Sequence, residues 1–335
     1  MGNKVIGKSE MKKEYVALLS NDVETTSIWF NDLRDETGEK VLKEGMPRLL
    51  DLYAKYNVKT TFFYTGYMAK LFPEVVKMAV NAGHEVGSHG KSHIKENGFD
   101  VMPYNKQVRH LDYSKKLIED ISGQEVISFR APALRVSPNT ASALLETGYL
   151  IDSSIASQRF DFFLSFGSKQ KLSFLNAPRL PYWVNKNNIF KKGQSALIEL
   201  PLSATLIPYA GTTMRIMPWL TMLQQNLLHL ETMLNGKPVV FVIHPNEFID
   251  ESEEPRSIKR RSNNTISYLL SDLLRAKIKV KNLGERALPI YERMISDYAE
   301  AGYEFMRMRE YRDQLTGIRD QGSVNRDQGR RYDNT

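Results

Sequence analysis

The chain has 335 residues, 41% of them hydrophobic, which suits one large α/β domain better than two small ones. It contains no cysteine. That excludes disulfides, thiolate metal sites and a cysteine nucleophile, and leaves His, Asp and Glu to carry any chemistry. The net charge of +7 comes from basic residues dispersed among 39 acids, with one tight cluster at Lys259-Arg260-Arg261, so a solvated surface explains the charge better than a nucleic-acid partner.

Residues 1–12 read as an N-terminal extension. The opening MGNKVIGKSEMKKEYVALLS lacks the apolar run of about 7–15 residues of a secretory signal, and no later stretch reaches the roughly 18–20 apolar residues of a membrane span, so the expectation is a soluble, cytoplasmic chain. Tyr15 to Ser20 is a short apolar run ending in Asn21-Asp22-Val23-Glu24, as a buried strand does when it delivers polar side chains to a sheet edge. Val41 to Tyr56 places Leu42, Met46, Leu49, Leu50 and Tyr53 at helical spacing, and Lys59 to Tyr64 returns to a β-rich run. The alternation continues with a helix over Pro73 to Ala82, a strand from Glu85, a helix over Gln107 to Ile121, a strand at Val126 to Phe129 and a helix over Pro138 to Thr147. Repeated βα units predict parallel strands.

Asp152 to Lys192 breaks the rhythm and reads as long loops over one face. Strands at Ala196 to Leu200 and Val239 to Ile243 flank a helix around Trp219 to Leu234; helices at Ile266 to Arg275 and Ala287 to Glu300 and a short strand near Phe305 follow. Residues 313–335 are polar, and the triplet Arg-Asp-Gln recurs every seven residues from Arg312 through Arg319 to Arg326, which predicts a disordered tail after a folded domain over 13–312.

The polar motifs fall where predicted strands end: Asn21 to Glu24, His89 and His93, Arg130-Ala131-Pro132, Asp152-Ser153-Ser154, and His244 to Glu247. In a parallel barrel or open sheet these positions converge on one rim. The two histidines, four residues apart in GHEVGSHGKSH, have the spacing of metal ligands on a helical turn or at a strand end, although such pairs also occur by chance.

In order and wording these motifs resemble the polysaccharide deacetylases of carbohydrate esterase family 4, in a divergent branch with Asp-Val-Glu in the first motif. The chain supplies NDVE, HGKSH, RAP, IDSS and VIHP in the family's order across residues 15 to 310. The resemblance implies a distorted (β/α) barrel of about seven parallel strands forming a single catalytic domain. It implies a divalent metal, zinc from the nitrogen and oxygen ligand set, held by His89, His93 and Glu24. Asp22 is then the base, Arg130 pairs with it, and His244 is the general acid, supported by Asp152. Exchange of the Asp22 and Glu24 roles stays open at this stage. The oxyanion donor would be the N–H of Ala133 or Leu134.

The implied reaction is removal of an acetyl or formyl group from an amino sugar of a glycan or lipid-linked glycan precursor. Its alternatives are hydrolysis of a small non-sugar amide or ureide and a non-catalytic sugar-binding relative. The Lys259 to Arg261 cluster would suit peripheral contact with an anionic lipid or sugar phosphate. His84 reads as structural, and His110 and His229 as helix surface or packing residues. Tyr182, Trp183 and Trp219 suit sugar stacking or ordinary packing equally.

Overall fold

In the computed structural model, which describes residues 15–159, 173–256 and 275–317, the first apolar run forms β1, Tyr15–Val23, buried at every position after Tyr15. Neighbours cover it on both sides, which is why it reads as a continuous apolar run rather than an alternating one. β2 (Thr61–Tyr64), β3 (Glu85–Ser88), β4 (Ser128–Phe129) and β5 (Ile151–Asp152) follow in spatial order. The chain then forms β6 (Tyr182–Asn185), β7 (Asn188–Lys192), β8 (Ile198–Glu199), β9 (Val239–Ile243) and β10 (Tyr303–Phe305). The sheet order β9-β1-β2-β3-β4-β5-β8 consists of parallel pairs throughout, with the β6/β7 hairpin added antiparallel at the β8 edge and β10 paired with the start of β1.

After β8 the backbone, which includes a short antiparallel pair of Ala204–Thr205 with Ile207–Pro208, runs beside β9 without forming a ladder with it: Ser203 N–H donates to Val240 O at 3.0 Å, and Ala210 makes an isolated bridge to Val242. The sheet is thus curled into the expected distorted barrel, with a segment outside the main ladder on one side. Among the described residues, the expected loops over 152–192 include an unforeseen element, the β6/β7 hairpin. Its two short strands turn through the Asn185 to Asn188 region, too little length for a period to emerge.

Helices cover the outside. Asp35–Lys40 (α1), a π-helical turn at Val41–Gly45 and Met46–Lys55 (α2) run end to end, so the predicted helix begins six residues earlier than its apolar spacing indicates. Gly45 lies against the Pro245 carbonyl, where a Cβ would come within 2.4 Å, so the turn packs directly on the loop that carries His244. Further helices are α3 (Gly66–Leu71), α4 (Pro73–Asn81), α5 (Tyr104–Ser122), α6 (Thr140–Glu146), α7 (Gly211–Ile216), α8 (Pro218–Asn235), α9 (Arg275–Lys279), α10 (Ala287–Glu300) and α11 (Met308–Thr316).

α11 carries helical structure past residue 312, where the sequence places the domain boundary. It is seated by buried Met308 and Tyr311, three residues apart, and by buried Glu85, whose carboxylate accepts from Arg309 N–H (3.0 Å), the Thr61 hydroxyl (2.7 Å) and the Ser128 hydroxyl (2.5 Å). The first Arg-Asp-Gln triplet belongs to this helix; the other two, the extension over 1–12, the cluster at 259–261 and the predicted helix from Ile266 lie outside the described residues, save for Arg275 at the start of α9.

Candidate active site

Period-two alternation along β1 sends Ser20 and Asp22 to the barrel interior, where both meet the guanidinium of Arg130. Arg130 is fully buried. Its Nη1 donates to Asp22 Oδ1 (2.9 Å) and Ser20 Oγ (2.8 Å), its Nε to Ser153 O (2.9 Å) and its Nη2 to Ser153 Oγ (2.9 Å), while the group lies 4.5 Å over the Phe63 ring. A buried charge with this many partners holds one orientation. Burial pushes the Asp22 carboxyl up, but Arg130, with His89 and His244, outweighs burial and keeps it below its ordinary range. Asp22 is therefore ionised in the folded protein.

His89 follows β3 directly, and the chain between it and His93 is not a helical turn. Gly90 turns it at φ 68°, with Phe99 and Pro132 packed within 3.3 Å of where a Cβ would stand. The imidazole centroids are 5.8 Å apart. Nδ1 of His89 lies 2.9 Å from Arg130 O, a contact that requires N–H on that nitrogen and leaves Nε2 as a lone pair facing the site. Burial lowers the pKa of His89, so the imidazole is neutral, as a metal ligand must be.

His93 Nε2 accepts from the backbone N–H of Ala133 at 3.2 Å, yet it also stands 3.2 Å from Glu24 Oε2, a buried oxygen with no hydrogen-bond donor. Two electron-pair donors facing each other in a buried site are repulsive unless a cation lies between them. Ligand atoms of Glu24, His89 and His93 all fall within 4.8 Å of one another, so the donor set fits a divalent ion bound through two nitrogens and an oxygen.

Two further groups face this cluster. His244, at the end of β9, has Nε2 4.0 Å from Asp22 Oδ2, and His89 Nε2 is 3.9 Å from the same oxygen. The Ala133 N–H is the other. Ala133 and Leu134 both sit in the left-handed region, at φ 52° and 55°, where a non-glycine residue costs on the order of 1–3 kcal/mol. Leu134 N–H is used by Ala131 O (2.9 Å), so of the two expected oxyanion donors only Ala133 points at the ligand atoms.

His244 does not take its support from Asp152. Its Nδ1 lies 3.2 Å from Oε1 of Glu247, three residues downstream, and Glu247 forms a buried ion pair with Arg215 at 2.5 Å. Burial opposes charge on the imidazole, but Glu247, Asp22 and Glu24 raise its pKa to about 9. Arg215 and His244 outweigh burial at Glu247 and lower its pKa. Arg215 is anchored in turn by the carbonyls of Lys279 and Lys281. The His-Pro-Asn-Glu motif contains Glu247 in plain view, but sequence alone does not distinguish it from a loop cap; Arg215, 32 residues upstream, gives no signal at all.

Asp152 faces Glu199 instead. Burial raises both carboxyls, Glu199 well above its ordinary value because Asp152 adds its negative charge, so the pair shares a proton. Asp152 accepts from the Ser154 hydroxyl (2.5 Å), which accepts from Ala131 N–H (2.9 Å). Its connection is thus to the loop carrying Ala133.

His84 accepts from Thr60 N–H (3.3 Å) inside the fold, and His229 contacts the Tyr303 hydroxyl (3.0 Å). Tyr182 is buried with its hydroxyl on Ile189 O (2.7 Å) and Trp183 packs against the core, so packing accounts for both; Trp219 is exposed.

Residues 20–151 match the family model of the polysaccharide deacetylases. A peptidoglycan deacetylase of Helicobacter pylori is 32% identical over 157 residues, covering 45% of this chain and 53% of that protein. A peptidoglycan deacetylase-like protein of Gibberella zeae is 30% identical over 166 residues, covering 47% of this chain and 48% of that protein. The chain spans about half the length of the curated relatives it matches. A Mycobacterium smegmatis protein of known structure, assigned to the polysaccharide deacetylases, shares the fold with a TM-score of 0.62 at 18% identity over 93% of each chain.

Proposed function

We propose that the chain, whose residues 20–151 match the polysaccharide deacetylase family model, is a member of that family and hydrolyses the N-acyl amide of an amino sugar in a glycan or glycan precursor, with a divalent metal held by Glu24, His89 and His93. The observation that carries this reading is the convergence of those three ligand atoms within 4.8 Å, flanked by Asp22 and His244. Zinc suits two imidazoles and a carboxylate, and when bound it supplies polarisation of the amide carbonyl and acidification of water.

The chain's own groups supply the remaining chemistry. Asp22, kept ionised chiefly by Arg130, accepts the proton of the attacking water. His244, protonated below about pH 9, donates from Nε2 to the amine as it leaves, while Glu247 holds Nδ1. The Ala133 N–H, presented by a strained turn, is the donor for the oxyanion. Base, ligands and acid are all present, which favours a catalyst over a sugar-binding relative. A cytoplasmic setting belongs to the same proposal, and cell fractionation tests it.

The test is release of acid. Zinc-reconstituted protein would be incubated with acetylated and formylated amino sugars, free, as peptidoglycan fragments and lipid-linked, and with a small ureide; released acid is followed by mass spectrometry. Release from an amino sugar, abolished by chelation, is the expected result. Turnover of the ureide alone would move the function to small amides.

A further inference from the structure

Helix α8 is amphipathic in the inverted sense. Its inward side carries Thr221, Gln224, Gln225 and Thr232 around a single buried leucine, Leu228. Three of the four are secured by hydrogen bonds: Gln224 Nε2 to Thr205 Oγ1 (3.0 Å) and Ile207 O (2.9 Å), Gln225 Nε2 to Met294 O (3.3 Å), and Thr232 Oγ1 to Lys237 O (2.8 Å). The outward side presents Trp219 (67% exposed), Met222 (38%), Leu223 (50%), Leu227 (47%), Leu230 (53%) and Leu234 (83%). A helix on the surface of a monomer shows the opposite arrangement, because apolar area is stabilised by burial.

We propose that this face is the contact between two copies of the chain. Leu223, Leu227, Leu230 and Leu234 are spaced four, three and four residues apart, the seam by which one helix packs against another, and Trp219 extends it by a further turn. Their exposed parts amount to roughly 600 Å² of side-chain surface per copy, so that two copies bury on the order of 1,200 Å², the lower end of stable specific interfaces. Met222 also lines a mostly apolar groove with Met214, Ile290 and Met294, which carries the surface on toward α10.

The charge pattern selects this occupant. Pro218–Asn235 contains no Lys or Arg, the residues that an in-plane membrane helix carries on its polar side. A stripe of one chemical character also has no need of a complementary partner. It is complementary to itself, as a two-fold contact requires.

Because the chain has no cysteine, a thiol placed on α8 is unique. The full chain would be studied by light scattering and by cross-linking of Leu227→Cys with a short bismaleimide, with Lys116→Cys on exposed α5 as the control. The expected results are a species of twice 38.5 kDa, covalent dimer from Leu227→Cys only, and monomer from the double variant Leu223→Glu, Leu230→Glu with unchanged melting temperature and circular dichroism. Three results would overturn the proposal. One is a dimer that persists in the double variant. Another is a monomer throughout the micromolar range whose Leu227→Cys thiol reacts freely with maleimide, which leaves the face for a different partner. The third is a monomer whose thiol is protected, which assigns the cover to another segment of this chain.

Discussion

Nδ1 of His244 lies 3.2 Å from Oε1 of Glu247, and the buried guanidinium of Arg215 holds the other oxygen of that carboxylate. Burial opposes charge on the imidazole, but this contact together with the charges of Asp22 and Glu24 raises its pKa to about 9, so His244 carries its proton across the neutral range. A general acid works only while protonated, so turnover falls as pH rises through that value. Glu247→Gln removes the negative charge and lowers the pKa of His244, and the alkaline limb should move down by at least one unit while metal content stays the same. The measurement is kcat against pH from 5 to 10 for both proteins. An alkaline limb at the same pH in both would assign the acid to another group.

The acidic pair should separate by assay. Glu24 Oε2 is a buried oxygen facing the His93 ligand nitrogen, whereas Asp22 spends Oδ1 on Arg130. Glu24→Gln, His89→Ala and His93→Ala should each hold well under one metal per chain by elemental analysis. Asp22→Asn should retain metal and lose about 10²–10⁴ in turnover, the scale of general base catalysis. Metal loss in Asp22→Asn with retention in Glu24→Gln would exchange the two roles.

The motif order of the sequence locates β1, β3, β4, β5 and β9 because each ends in polar residues that an apolar run cannot otherwise explain. It places Glu24, His89 and His93 together, and Asp22 against Arg130 and His244. It does not reveal which carboxylate holds His244. Asp152 ends a strand and Glu247 follows one, both are three residues or fewer from another polar group, and the choice is made by the turn Pro245–Phe248 folding Glu247 back under the imidazole. The inverted face of α8 is legible as a helix but not as a surface, since 3.6 periodicity marks an apolar side without saying whether the barrel lies behind it.

Arg130 should be costly to remove. Arg130→Met leaves the carboxylate of Asp22 buried without its cation and orphans the Ser153 carbonyl, so the expected loss is about 3–5 kcal/mol of stability by urea unfolding. In an Asp22→Asn background the same change should cost distinctly less, because no buried charge is stranded. Equal costs in the two backgrounds would show that Arg130 stabilises the fold through its bonds to Ser20 and Ser153 and its packing on Phe63, not through the charge of Asp22.

The Asp152–Glu199 pair makes a prediction about stability and pH. Burial and the neighbouring Asp152 raise the folded-state pKa of Glu199 well above its unfolded value of about 4.3, so between those two values the folded chain binds a proton that the unfolded chain has released. The sign follows. Stability from this group is complete below about pH 4 and is lost as pH rises toward the folded-state pKa, at up to about 1.4 kcal/mol per unit. Glu199→Gln keeps a donor for Asp152 and still presents an oxygen to Ile155 N–H, the partner of Oε1 at 3.0 Å, but it no longer titrates. The variant should therefore lie within about 1 kcal/mol of the wild type near pH 5 and gain on it steadily toward pH 8. Unfolding free energies in urea at pH 5, 6.5 and 8 decide the matter: parallel curves for the two proteins would mean that Glu199 is ionised in the folded state and that the pair holds no proton.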